Sequence, residues 1–387
     1  MDNQEFDIVV IGAGPAGSAA AVTARRLGLN VALIDRAAFP RDKLCGGGVT
    51  GRAARHLQEI FGVGIDSQLV LTSRRVRFTA AGRELGRVEA APALHLTMRR
   101  DFDGRLVEAA LAAGAEAFMP ERVADIDVAA RRIRLACGRV LGFGVLIGAD
   151  GVNSQVARQL FGRAFDPATI AFALEVEAPP VADDTVEIDL DAAPWGYGWA
   201  FPKRGSLTLG VGGLHRANPS LKPRLAAYLD RHGGGAAQPR GQGQFLPAGD
   251  FRIEPGHGAV LLAGDAAGLV DPMTGEGIGH AMHSGALAAG APESALATYR
   301  AALAPLHHEL RAARQLQRVM FGRLSHAMML RILAARPSMQ HRMLALLAGE
   351  IDYADIRRGF FRRLAGHAAA TLMAPLRGRP AARPRME

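Results

Sequence analysis

The 387-residue sequence holds two cysteines, Cys45 and Cys137, in neither a CxxC nor any other metal-like spacing. That excludes a disulfide scaffold and a cysteine-built zinc site, and suits a reducing cytoplasm. Aromatic residues make up 6% of the chain and no base-reading module stands out, so no nucleic-acid partner is expected. No apolar run of 18 or more residues escapes interruption by charge, which argues against a spanning helix. The acidic opening Met1–Glu5 runs straight into a strand pattern and is read as lacking a secretory signal, so a cytoplasmic location is expected. His280 and His283 lie three apart with no HExxH motif or carboxylate at ligand spacing, so no metal is expected. Cationic charge is carried almost entirely by arginine, and unevenly. From Arg311 onward, fifteen arginines face Glu350, Asp352, Asp355 and Glu387, a local +11 within a net charge of +9. The preceding 310 residues therefore sum to −2. Such an end is expected to associate with an anionic membrane surface, on the inner face of the membrane; the alternative is a solvated arginine-rich helical surface.

What is present is most distinctive at the start. The apolar run Ile8–Ile11 leads into Gly12-Ala13-Gly14-Pro15-Ala16-Gly17, and Asp35 closes the next apolar run, Val31–Ile34. This is strand, glycine turn, helix and strand with an acidic residue about 20 positions on, the dinucleotide-binding fingerprint. Gly12 permits the tight turn, Gly14 lets backbone approach a pyrophosphate, and Gly17 lets helix and strand pack closely. The helix start at Pro15 offers free N–H groups and a positive dipole end. Asp35 suits the hydroxyls of an unphosphorylated adenosine ribose, with Arg36 placed along the adenine.

Further along, a glycine loop at Cys45–Gly48 precedes a helical pattern over 52–61, and strands are read from Val70 to Leu96. Arg99–Ala113 has helical spacing, and Val123–Val145 reads as a strand meander. Short strands are expected at Thr185–Leu190, Tyr197–Phe201 and Ser206–Val211, the last two joined as a hairpin across Lys203-Arg204-Gly205. The apolar strand Ala259–Ala263 leads into Gly264-Asp265. From Leu296 the pattern is helical, and disorder is expected over Arg377–Glu387.

Three more turns follow strand-like runs: Gly148-Ala149-Asp150-Gly151, Gly264-Asp265-Ala266-Ala267 and Pro272-Met273-Thr274-Gly275-Glu276-Gly277-Ile278. Each brings a carboxylate or a helix N-terminus to a sheet end, where a flavin dinucleotide and its reduced N1–O2 edge would be met. In this order they resemble the single-Rossmann flavoprotein reductases and hydroxylases over residues 6–300, which implies FAD. Within that class the chain resembles the geranylgeranyl reductase family on two segments, Phe39–Val49 around Cys45-Gly46-Gly47-Gly48, and Tyr197-Gly198-Trp199-Ala200-Phe201-Pro202 followed by Leu209–Gly212.

The resemblance implies an α/β fold: a Rossmann-like FAD-binding domain (1–70, 98–160, 255–300) with an inserted antiparallel-sheet substrate domain (71–97, 161–254) and a C-terminal helical, basic region (301–387). It implies FAD contacts at Gly12, Gly14, Ala16 and Gly17, at Asp35 and Arg36, and at Cys45, Gly46 and Gly47. Arg99 (or Arg100), Val123, Asp150, Gly151, Gly264, Asp265, Pro272, Gly275, Gly277 and Ile278 complete that set. Cys45, Tyr197 and Trp199 are the expected catalytic or pocket-lining residues, although no base or cation next to Cys45 stands out. The implied activity is reduction of carbon–carbon double bonds of an isoprenoid or other apolar small molecule, with NADPH or NADH a transient electron donor in the cleft. Catalysis of that kind depends on positioning, water exclusion and a proton donor. Two other readings share these motifs: an FAD monooxygenase that hydroxylates or epoxidises its substrate, and a flavin-binding membrane scaffold without turnover.

Overall fold

The computed structural model describes residues 3–233, 241–291 and 295–356. Five parallel strands form its first layer in the order Val260–Leu262, Val140–Gly148, Asn3–Ile11, Val31–Ile34 and Glu116–Phe118. Their near-continuous apolar sequences are what a parallel sheet covered on both faces demands; Val31–Ile34 is buried at every position. Helices Pro15–Arg26 and Ile278–Ala289 pack on one another against this sheet, with alanine and glycine at the contact. The predicted meander is present as strands Val123–Asp127 and Arg132–Leu135 paired onto Val140–Gly148.

The second layer is a seven-stranded sheet ordered Gln242–Leu246, Ala171–Ala178, Ser206–Leu214, Gly196–Lys203, Val186–Asp189, Val76–Ala80 and Arg83–Val88. It is antiparallel except where Val186–Asp189 runs parallel to Val76–Ala80. The predicted hairpin is there, with Lys203 opposite Ser206. A small sheet of Gly48–Val49, Leu94–Thr97 and Val70–Ser73 joins the layers. The helical reading of 52–61 is refined: an α-helix over Gly51–His56 widens into a π turn at Leu57–Phe61, which ends at Gly62 in the left-handed region.

The C-terminal helices pair an exposed arginine-bearing surface with apolar faces that join the core. Helices Ala295–Phe321, His326–Ala335 and Pro337–Leu347 bury Met320, Phe321, Met329, Leu333, Leu344 and Leu346; the first packs on Ile278–Ala289 and His326–Ala335, and the other two pack against Arg83–Val88 of the second sheet. Their apolar faces are core, with arginines on the remaining faces. Arg377–Glu387 lies outside the described residues. Among the described residues no helix is long and apolar enough to cross a membrane.

Candidate active site

One cavity of about 1680 Å³ lies between the two sheets and the C-terminal helices. A single small-molecule site occupies roughly 300–1,000 Å³, so this space has room for a dinucleotide and a second molecule together. Every cofactor residue expected from sequence borders it except Gly17 and Gly264, which lie beneath the turns. Those two shape the backbone that faces the cavity rather than touching its contents.

The nucleotide end is built from backbone. Gly12 has φ +100°, and a Cβ there would lie 2.6 Å from the Ala149 carbonyl carbon and 2.9 Å from Asp150 Cα. Glycine thus lets two strand-end turns close on each other. Helices Pro15–Arg26 and Ile278–Ala289 both begin without a side-chain cap and without an acidic residue in the first turn. Their first N–H groups are the orphans of any helix start, and here they border a cavity and invite an anion. Asp35 accepts from the Ala13 and Ala37 amides at 2.8 and 2.9 Å, which fixes its carboxylate at the sheet end.

Asp150 accepts the amides of Gln155 (2.6 Å) and Val156 (3.3 Å) through Oδ2, while its buried Oδ1 has no partner. Burial pushes its carboxyl upward, opposed by Ser154 and those amides. An orphaned acceptor, two bare helix starts and an acid fixed beside the glycine turn fit a flavin dinucleotide.

Arg99 is the arginine that faces the cavity: it is buried and grips Asp103 in two hydrogen bonds of 2.7 and 2.8 Å. Arg100 is exposed and reaches only Asp42, at 3.8 Å. Burial works against the Arg99 charge, but Asp103 and Cys45 outweigh it. The expectation that no cation stands near Cys45 is therefore corrected: folding brings Arg99 within range of the thiol, and Lys43, two residues before it, is also near. Cys45 itself accepts the Gly47 amide at 3.4 Å. Burial pulls Lys43 below its usual value, partly offset by Asp265.

The turn 272–277 is fastened from three directions. Tyr197 donates its hydroxyl hydrogen to the Thr274 carbonyl (2.6 Å), Gln317 donates to Pro272 O (2.8 Å), and Tyr353 donates to Asp271 (2.7 Å to Oδ2). Tyr197 is accordingly a cavity wall whose proton is committed to the turn; burial and the Asp271 charge raise its phenol further out of reach. Glu276 accepts from Thr50 Oγ1 at 2.6 Å. Burial pushes Glu276 up to about 7, against the pull of Arg52, which is itself doubly bonded to Glu309. Behind this network His283 stacks on His56 at 4.8 Å and His280 is buried beside Arg52 at 3.1 Å. Burial and the Arg52 charge take His280 down to about 3.

Trp199 lies flat over Gly210, whose absent side chain makes room for the indole, and its buried Nε1 has no partner. Tyr197, Trp199 and Phe201 form an aromatic series along one strand face, with ring centroids 5.9 and 6.5 Å apart. Sequence reasoning missed the remaining wall. Six of the 12 methionines, Met273, Met320, Met328, Met329, Met339 and Met343, border the cavity, as do Arg311, Arg336 and Arg342. It also missed Glu175, which borders the cavity from the strand Ala171–Ala178, and Lys203, which alternation with Tyr197, Trp199 and Phe201 could have placed on the same sheet face.

Comparison with known proteins agrees with this geometry. Residues 7–133 match the model of the FAD dependent oxidoreductase family. A menaquinone reductase of Mycolicibacterium smegmatis is 34% identical over 315 residues, covering 74% of this chain and 76% of that protein. A geranylgeranyl diphosphate reductase of Rhodobacter capsulatus is 33% identical, covering 74% of each chain. Among solved structures, a geranylgeranyl bacteriochlorophyll reductase-like protein of Thermoplasma acidophilum superposes with a TM-score of 0.65 at 22% identity, over 90% of this chain and 92% of that one.

Proposed function

We propose a polyprenyl double-bond reductase activity for this chain, which belongs to the geranylgeranyl reductase family of FAD-dependent oxidoreductases. The observation that carries the reading is the continuity of one cavity from the nucleotide turns, past Cys45 and Trp199, to a methionine-lined chamber under the C-terminal helices. FAD bound at the turns would accept a hydride from a transient NADPH or NADH and supply one to the substrate. The chain's own residues do the rest. The bare starts of helices Pro15–Arg26 and Ile278–Ala289 would hold negative charge on the bound cofactor. The aromatic series and the methionines hold an apolar chain and keep water out. An isolated alkene offers no carbonyl for charge, so alignment within about 3.5 Å of the donor and a placed acid carry the catalysis.

The test is to incubate the holoprotein and NADPH with geranylgeranyl diphosphate and with a polyprenyl naphthoquinone, followed by mass spectrometry. A gain of 2 Da on geranylgeranyl diphosphate, or one on the naphthoquinone that persists after air reoxidation of any quinol and maps to the prenyl chain, supports the reading. Substrate-stimulated oxygen uptake with a gain of 16 Da would replace it with the monooxygenase reading.

We also propose that the segment after residue 356, with eight arginines and one acid, associates with anionic lipid surfaces. Removing 357–387 should abolish sedimentation with phosphatidylglycerol vesicles; retained binding would refute it.

A further inference from the structure

We propose that Glu175 is the acid that protonates the substrate, an inference that rests on the reductase reading above. Sheet register carries the argument. Glu175 lies opposite Gly210, which lies opposite Trp199, so all three project to one face, and that face borders the cavity. Gly210 places no side chain between the indole and the carboxyl. Glu175 is 5% exposed and lines the same cavity as Cys45, whose backbone is near enough to favour the charged form of its carboxyl.

Two residues along the same strand, Glu177 is on the same face and reaches solvent, with a side chain 39% exposed. Lys203 is buried at 4% and stands 3.4 Å from Glu177 Oε1, which also accepts from Thr208 Oγ1 at 2.6 Å. One buried ammonium is thus bonded to Glu177 and acts on Glu175 through space. It cannot neutralise both, and the partner with less water, Glu175, is the one that keeps its proton. The groups that face it agree: burial pushes Glu175 up to about 7, while Lys203 and Lys43 pull down and Glu177 adds to the rise. The acid is therefore poised at physiological pH.

The balance is simple. One alkene carbon gains a hydride whose two electrons come originally from the nicotinamide, and the other gains H⁺ from Glu175. The π bond is lost, two C–H bonds form, and Glu175 is left as a carboxylate beside Lys203. Water then restores its proton by way of Glu177 and Lys203.

The experiment compares wild type, Glu175→Gln and Lys203→Met, each as FAD-loaded protein. Infrared difference spectra of wild type minus Glu175→Gln should show a protonated carboxyl band at pH 6 that fades through about pH 7. In Lys203→Met the fading should move to higher pH, because the charge that favours the carboxylate is gone. In single turnovers of pre-reduced protein with geranylgeranyl diphosphate or the polyprenyl quinone, Glu175→Gln should be slower by about 10²-fold or more. Reduction of its bound flavin by NADPH should be unchanged. No protonated band at pH 6, or an unslowed Glu175→Gln turnover, overturns the proposal for Glu175 alone. A wild type that reduces neither substrate while the band is present overturns the reductase reading and the step with it.

Discussion

The contact between Trp199 and Gly210 can be tested by adding one methyl group. In Gly210→Ala the new Cβ would run into Cζ2 and Cε2 of the indole and come 2.9 Å from Cη2. Normal carbon–carbon separation requires the ring to retreat by about 1 Å. The sheet backbone lies behind it, so the ring moves toward Gly46, where there is little slack: a Cβ there would already be 3.3 Å from Nε1 and 3.1 Å from the Phe201 ring. Overpacking of this kind costs about 1–3 kcal/mol. Trp199→Phe by itself removes ring atoms and leaves a hole, at a cost of about 1–3 kcal/mol. Combined, the smaller ring makes room for the methyl group, and the two losses should partly cancel, with a coupling of about 1–2 kcal/mol. The assay is a double-mutant cycle by urea denaturation with FAD in fixed excess. Alongside it, fluorescence in a Trp195→Phe background, where Trp199 is the remaining tryptophan, should change on introducing Gly210→Ala. Costs that add to within about 0.5 kcal/mol would refute the flat-lying indole.

Other outcomes follow from the same structure. Asp103→Asn leaves the buried Arg99 charge without its twofold partner and should cost about 3–5 kcal/mol, read as a lowered urea midpoint. Gly12→Ala places a Cβ against the Ala149–Asp150 backbone at a positive φ, and the purified variant should be colourless with FAD affinity reduced at least tenfold by fluorescence titration. Burial would raise Glu187, but the His232 hydrogen bond and charge, Arg77 and Tyr228 outweigh it and hold the carboxyl at about 2. Its folded value is thus depressed, so its contribution, about 3 kcal/mol, is complete above the ordinary carboxylate range and lost as pH falls from about 4.5 toward 2. Glu187→Gln should flatten that part of the stability–pH curve.

Much of this architecture was legible in the chain because local chemistry dictated it. Gly12, Asp35 and the apolar runs beside them can mean little other than a strand–turn–helix at a sheet end. The Lys203-Arg204-Gly205 turn announced its hairpin. The cavity's far wall was not legible, because methionine at helical spacing reads as ordinary core, and only the packing of the C-terminal helices, two of them against Arg83–Val88, reveals that it borders open space. Arginine density drew attention to the polar faces of those helices and away from the apolar ones. The nearness of Arg99 to Cys45 was hidden for a different reason: Arg99 lies 54 positions away, and its approach depends on the small three-stranded sheet that joins the layers.

The methionine wall has a consequence for evolution of the chamber. Thioether side chains are unbranched and rotate about three bonds, so they can re-pack around guests of unequal length without moving a helix. Tolerance for chain length would then reside in side-chain rotamers, while the backbone turns near Gly12 and Gly275 keep one fixed shape. Selection could retune which molecule enters by trading single methionines for rigid β-branched residues, with the reducing end of the protein left untouched.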